Sequence, residues 1–268
     1  MALLFFDMDI DNIYLMDCYM FLQSLDDESI DLAIIDPPYN MDKAEWDSFD
    51  SFEGYLAFMY QWIDQLLPKL KTTASIYLFN TPYNNSFILQ YLAAKGLLFK
   101  NWITWYKKDG FSASNKRYVN NQESILFFTV SKQYVFNSDA IRLPYLSTDR
   151  MKYAAQNGIL KNGKRWFPNE NGKLCTDVWE ISSERHKTKV NGKTQKMPHP
   201  TPKPAELIER IIKASSQPND LVLDLFSGLG TTAMACRALN RHFIGCENNA
   251  AYHEIIQAKL NHVVAKPN

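Results

Sequence analysis

Four consecutive residues, Asp36-Pro37-Pro38-Tyr39, follow an apolar run, Leu32–Ile35, and have the makings of a site for a planar amine. The two prolines stiffen the chain and remove two amide donors. What remains is a carboxylate, backbone carbonyls that only accept, and an aromatic ring. Such a set holds an NH₂ group by its hydrogens and stacks on the ring that bears it. Taken alone, the tetrapeptide also fits an ordinary proline turn with a capping aspartate.

A second constellation reads Leu223-Asp224-Leu225-Phe226-Ser227-Gly228-Leu229-Gly230-Thr231-Thr232. A strand runs into a glycine turn and a helix follows. Glycine lets the backbone approach a ligand, and a helix N-terminus offers free amide donors. The next strand, Arg241–Glu247, ends in an acid 17 positions after Gly230. In doubly wound folds a carboxylate there accepts hydrogen bonds from ribose hydroxyls. The Gly-Lys-Ser/Thr ending of a phosphate-binding loop is missing, as is the third glycine of the dinucleotide pattern. A nucleoside with no phosphate to cradle is therefore favoured over a dinucleotide. A third motif, His199-Pro200-Thr201-Pro202-Lys203-Pro204, opens the helix before the glycine strand. On its own it is also compatible with a plain helix start pre-set by proline.

These residues need a scaffold. Apolar runs of strand length recur at Asn12–Met16, Leu32–Ile35, Ser75–Phe79, Trp102–Tyr106, Ile125–Val130, Leu221–Leu225 and His242–Cys246. Several are near-continuous, as expected of strands covered on both faces. Helical patterns at Phe52–Leu67, Ala205–Ala214, Thr231–Leu239 and Ala250–Val263 separate many of them. Strands alternating with helices predict a mainly parallel, doubly wound α/β sheet. The stretch 137–200 lacks long periodicity and carries Asn162-Gly163, Asn171-Gly172 and Asn191-Gly192, which are turn signals. It is expected to be an inserted, loop-rich basic subdomain. Residues 40–51 and 107–121 read as long loops of the kind that bind ligands.

Composition narrows the class. The chain has 268 residues, enough to bury about 70–75% of its unfolded surface without staples. With 46% hydrophobic and 22% charged residues it is an ordinary globular composition, neither disordered nor collagen-like. No run approaches the ~20 apolar residues of a membrane span, and Met1–Met8 lacks the basic flank and cleavage site of a signal peptide. Cysteines 18, 175, 236 and 246 form no close pair, so no metal site is expected and a reduced, cytoplasmic setting is. Lys+Arg and Asp+Glu both number 29, for zero net charge. The distribution is uneven. Residues 1–99 hold 4 basic against 15 acidic side chains, residues 100–203 hold 19 against 8, and residues 204–268 hold 6 of each. An 11-charge excess confined to one segment points to a polyanion-binding face.

Asp-Pro-Pro-Tyr, Phe-x-Gly-x-Gly-Thr-Thr and His-Pro-Thr-x-Lys-Pro, in their order along the chain, resemble the S-adenosylmethionine-dependent DNA amino-methyltransferases of the beta arrangement. The resemblance covers nearly the whole chain. It implies a Rossmann-like, seven-stranded-type methyltransferase sheet with a catalytic half (1–136), a target recognition region (137–200) and a cofactor half (201–268). It departs where Leu225 and Leu229 stand in place of a usual proline and serine. A closer resemblance, over Asn162–Pro168 and Ser183–Lys193, is to an adenine methyltransferase of a restriction system with a short asymmetric target of the GAAGA kind.

The resemblance implies methyl transfer from S-adenosylmethionine to the N6 amine of a flipped adenine in double-stranded DNA. The expected catalytic residues are Asp36, Pro37, Pro38 and Tyr39, with Tyr39 stacking on the base. The expected cofactor residues are Asp17, Cys18, Asp36, His199, Lys203, Asp224, Phe226, Ser227, Gly228, Gly230, Thr231, Thr232 and Glu247. Of these, Lys203 or His199 is expected to face the methionine carboxylate, and Asp17 is equally readable as a helix cap. Lys107, Lys108, Lys116, Arg117, Arg142, Arg150, Lys161, Lys164 and Arg165 are expected to contact DNA, mostly at phosphate. Trp166 and Phe167 are expected to pack within the subdomain, with stacking or wedging the alternative. A cognate restriction endonuclease and a homodimer are the further partners implied. Cytosine-N4 transfer and a catalytically silent DNA-binding relative remain open.

Overall fold

The computed structural model describes residues 8–108, 116–184, 187–190, 193–196 and 201–263. The first half runs β1 (Asn12–Leu15), α1 (Cys18–Ser24), β2 (Ile30–Ile35), α2 (Phe52–Leu66), β3 (Leu70–Asn80), α3 (Pro82–Ala94), β4 (Leu98–Tyr106) and β5 (Gln122–Thr129). The middle holds α4 (Thr148–Asn157), a hairpin of β6 (Ile159–Lys161) and β7 (Lys164–Trp166), then β8 (Val178–Glu180), and a pair of β9 (Lys187–Val190) and β10 (Lys193–Lys196). The last part is α5 (Ala205–Ser215), β11 (Leu221–Asp224), α6 (Thr231–Ala238), β12 (His242–Glu247) and α7 (Ala250–Val263).

The main sheet has the order β1-β12-β11-β2-β3-β5-β4-β8. Only β5 runs against its neighbours; the remaining pairings are parallel. The expected doubly wound sheet is thus present, with β8 as an eighth strand on its edge. That strand comes from the middle segment. The expected loop-rich insertion is therefore stitched into the sheet, with Trp105 Nε1–H donating to the carbonyl of Ile181 at 2.8 Å.

Side-chain alternation explains the layers. On β2, Ala33 and Ile35 pack towards Phe21, Leu22, Tyr55 and Trp62 of α1 and α2. Leu32 and Ile34 face the other way, towards Leu207, Ile211 and Ala233 of α5 and α6. Successive strand residues point to opposite faces, so a strand buried on both sides must be apolar throughout. Polar caps fix the helix starts: Ser51 Oγ accepts from Gly54 N–H at 3.0 Å, and Thr81 Oγ1 from Asn84 N–H at 3.2 Å.

Two helices escape the hydrophobic pattern for physical reasons. The buried face of α3 begins with two asparagines, Asn84 and Asn85, which interrupt the apolar stripe. Among its described side chains, α4 buries only Ala154, so it has no stripe to show. Asn162-Gly163 does form the predicted tight turn, with φ of 49° and 75°, joining β6 to β7.

Candidate active site at the sheet switch point

Strands β2 and β11 lie side by side, with Val222 opposite Leu32 and Leu223 opposite Ala33. From β2 the chain winds one way across the sheet, and β11 belongs to the half that winds the other way. The carboxyl ends of such strands open onto a crevice, where ligands of open α/β sheets bind. Here a single cavity of about 2170 Å³ fills that position. Asp36 enters it from the end of β2, Asp224 and the glycine turn from β11, Glu247 from β12 and Asp17-Cys18 from β1.

At the catalytic motif, the loop is held from below by a residue that sequence reading passed over. Asp47 is 2% exposed. Its carboxylate accepts from the backbone N–H groups of Tyr39 (2.5 Å), Asn40 (2.9 Å), Met41 (3.2 Å) and Lys43 (3.2 Å). Asn84 Nδ2 donates to the Tyr39 carbonyl at 2.7 Å. With these bonds the proline-stiffened turn has one geometry.

Above it lies a half-buried cluster of two carboxylates, two ammonium groups and a phenol, with Lys203 at its buried centre. Lys203 Nζ sits 2.6 Å from Asp36 Oδ2 and 3.5 Å from Glu123 Oε2. The Tyr39 hydroxyl is 2.8 Å from Asp36 Oδ1 and 3.1 Å from Glu123 Oε2. Lys107 closes the cluster through an ion pair with Glu123 Oε1. Burial opposes the charge on Lys203, yet the Asp36 and Glu123 carboxylates hold its pKa above the ordinary lysine value. Burial also works against the Glu123 carboxylate, and the ammonium groups of Lys203 and Lys107 outweigh it, leaving its pKa lowered. Burial and the two neighbouring carboxylates raise the Tyr39 phenol well above its usual range, so it remains a proton donor.

At the cofactor end, Glu247 accepts from the N–H groups of Gly228 and Asn249, both at 2.8 Å. Its pKa is raised by burial against the pull of those amides. Asp224 accepts from Phe226 N–H at 3.1 Å. Burial pushes its pKa up to about 7, with Thr232 and Phe226 opposing. Gly230 takes φ of 75°, a left-handed conformation that favours glycine, and a Cβ there would press on the Ile256 side chain at 3.1 Å. The Phe226 ring meets Trp62 edge-on at 5.8 Å. Asp17 caps α1, accepting from Tyr19 N–H at 2.9 Å, and also lines the cavity.

This donor set fits an adenosyl group. Phe226 offers apolar surface, while Asp17, Asp224 and Glu247 offer acceptors for hydroxyl and amino groups. Three acids at one end would repel a pyrophosphate, in keeping with the missing phosphate loop. Ser227, Gly228, Thr231 and Thr232 also line the cavity. His199 lies outside the described residues. Lys203, expected near a methionine carboxylate, instead has its ammonium on Asp36 and Glu123, in the catalytic cluster.

The basic residues divide by environment. Lys107 is spent on Glu123, and Lys108 pairs with Glu180. Arg142 donates to Asp139 at 2.6 Å and to the Gly172 carbonyl at 2.8 Å, so its head is held by the fold. Arg165 donates to the Asn157 carbonyl at 2.6 Å from an exposed position. Lys116, Arg117, Arg150, Lys161 and Lys164 are exposed. Trp166 is 42% and Phe167 54% exposed. The expected packing of these two rings within the subdomain is thus incomplete, because a hairpin of two three-residue strands has too little surface to cover them.

Glu123 and Asp47 are the functional residues sequence reading missed. Glu123 had a faint signal: a charge one residue inside a strand, β5, whose next six residues are all buried. Asp47 had none, standing among the polar residues of a loop.

The fold and this site define a Rossmann-like methyltransferase. A family model described as DNA methylase matches residues 30–258. The chain is 58% identical over 245 residues to the Type II methyltransferase M1.MboII of Moraxella bovis, covering 91% of this chain and 94% of that protein. It is 36% identical to the Type II methyltransferase M.HpaI of Haemophilus parainfluenzae, over 90% of this chain and 71% of that one. The solved complex of M1.HpyAVI with SAM superposes with a TM-score of 0.62 at 27% identity, covering 93% and 98% of the two chains. The cytosine-N4-specific PvuII DNA methyltransferase shares the fold, with a TM-score of 0.66 at 18% identity over 94% and 92%. The chain belongs to the family of N6/N4 DNA methylases, whose methyl donor is S-adenosylmethionine. Among the described residues no helix is long and apolar enough to cross a membrane.

Proposed function

We propose that this enzyme methylates the N6 amine of adenine at a short specific site in double-stranded DNA, as the modification arm of a restriction system. The carrying observation is the placement of Asp36-Pro37-Pro38-Tyr39 beside the Asp224 and Glu247 end of the same cavity. A cavity of about 2170 Å³ exceeds the roughly 300–1,000 Å³ of a single small-molecule site, leaving room for a base next to a nucleoside. A base stacked inside a duplex cannot reach this crevice, so the target must be flipped out.

Phe226, Asp17, Asp224, Glu247 and the glycine turn hold S-adenosylmethionine. Bound there, it supplies an electrophilic methyl group. The remaining work is done by the chain. An exocyclic amine is a poor nucleophile because its lone pair is delocalised into the ring. Asp36 and the Pro37 carbonyl accept its two hydrogens and favour a tetrahedral nitrogen, which is positioning plus charge stabilisation. Tyr39 offers its ring face to the base. The exposed Lys116, Arg117, Arg150, Lys161 and Lys164, with Arg165, carry phosphate contacts.

Asp in the first position of the motif favours adenine over cytosine in the resemblance. DNA methylated by the purified enzyme and digested to nucleosides decides this: N6-methyl-2′-deoxyadenosine is expected, and N4-methyl-2′-deoxycytidine alone overturns the assignment. Methylome sequencing of the same DNA reads the target, for which the GAAGA kind is expected.

A further inference from the structure

We propose that Glu123 is a positioning residue for methyl transfer, the counter-charge that keeps Lys203 and Tyr39 seated on Asp36. The inference rests on the reading of Asp36 as the acceptor of the target amine, and it adds a residue from outside the three motifs.

Geometry carries it. Asp36 and Glu123 approach the same two donors from different strands, β2 and β5. Lys203 Nζ is held at 2.6 Å by Asp36 and 3.5 Å by Glu123, and the Tyr39 hydroxyl at 2.8 and 3.1 Å. Tyr39 has one proton for two carboxylates, and the shorter distance assigns it to Asp36. Lys203 has three, enough for both. Its side chain is only 7% exposed and lies against the rings of Tyr39 and Phe79, at 5.2 and 5.6 Å. A lysine so enclosed stays charged only while anions surround it. Lys107, which also packs over Trp105 at 4.4 Å, balances the second carboxylate, so the cluster is neutral as a whole. Without Glu123 the cluster carries an excess positive charge around the buried Lys203. That excess favours release of the Lys203 proton and with it the bond that orients Asp36 Oδ2. The remaining lone pairs of Asp36 then lose their fixed direction towards the amine, and misplacement of this kind costs about 10²-fold in rate.

The test has two readouts. In the protein with ¹³C-labelled lysine and neither DNA nor cofactor, the Lys203 ¹³Cε signal, assigned with Lys203→Arg, is followed against pH. It is expected to titrate above the ordinary lysine value in the wild type and about one unit or more lower in Glu123→Gln. An unmoved titration overturns the proposal whether or not the protein methylates DNA. In single-turnover transfer to DNA, Glu123→Gln is expected to move the alkaline limb of the pH profile down, with the loss reaching about 10–100-fold on that limb and cofactor affinity within about two-fold of wild type. Glu123→Asp is expected to restore the limb and part of the rate. A uniform loss at every pH, not rescued by aspartate, reduces Glu123 to a structural residue and overturns the proposal. Absence of transfer by the wild type defeats instead the assignment of Asp36, while the lysine titration still judges the cluster.

Discussion

Asp36 and Lys203 stand 167 residues apart and meet at 2.6 Å. Their ion pair ties the end of β2 to the start of α5 and joins the two halves of the enzyme at the carboxylate proposed to accept the target amine. Asp36→Asn is expected to lower methyl transfer by roughly 10²–10³-fold, the scale of losing one preorganised polar group. Cofactor affinity should change little, because the adenosyl end is built by other strands. Equilibrium binding and single-turnover rates measured on the same variant check both; near-normal turnover removes Asp36 from the chemistry.

Glu247 organises its own turn as well as facing the cavity. Glu247→Ala leaves the Gly228 and Asn249 amides without their acceptor. Affinity for S-adenosylmethionine is expected to fall about 10–100-fold, or about 1.4–2.8 kcal/mol. Titration calorimetry measures it, and an unchanged affinity places the ribose elsewhere.

Asp224 links stability to pH. Its pKa is pushed up to about 7 by burial, against about 3.9 in an unfolded chain. Below about 4 both states are protonated. Between about 4 and 7 the folded state holds a proton that the unfolded state has lost, so this residue's contribution to stability falls as pH rises. The loss is complete above the folded pKa and amounts to at most roughly 4 kcal/mol. Asp224→Asn is expected to flatten the dependence of the denaturation midpoint over that window and to raise stability at pH 8. A slope equal to the wild type's contradicts the assignment.

Asp47 holds four backbone amides of the catalytic loop. Asp47→Ala is expected to destabilise the protein by about 2–4 kcal/mol, since buried donors lose a charged acceptor. It should also slow transfer without touching a substrate directly. Urea denaturation gives the first number; a midpoint unchanged from wild type shows the loop is held by something else.

Two arginine-and-lysine positions should separate cleanly. Lys164 is exposed on the β6–β7 hairpin, whereas Arg142 is 15% exposed and bonded to Asp139 and Gly172. Lys164→Met is expected to lower the slope of log binding constant against log salt by about 0.9, one phosphate contact. Arg142→Met should leave the slope alone and cost about 1–3 kcal/mol of stability. Salt-dependent DNA binding of the two variants reverses the assignment if the effects are exchanged.

Much of this molecule was legible in one dimension. Continuous apolar runs marked β2, β3, β5, β11 and β12, because a strand covered on both faces has no polar side to show. Local chemistry marked the proline turn, the glycine turn and the acid at the end of β12, because their use depends on neighbours in sequence. The uneven charge separated an acidic first segment from a basic middle. What only the tertiary structure decided was pairing over distance. Lys203 had a cationic head and a motif around it, but the partner it would choose was set by the adjacency of β2 and β11 and the placement of α5. Folding buries Asp47 and half-buries Glu123, and a carboxylate withdrawn from water must find donors wherever the chain brings them. The basic middle showed the same limit. Sequence located its charges, and the fold determined which were consumed by Glu123, Glu180 and Gly172 and which were left facing outward.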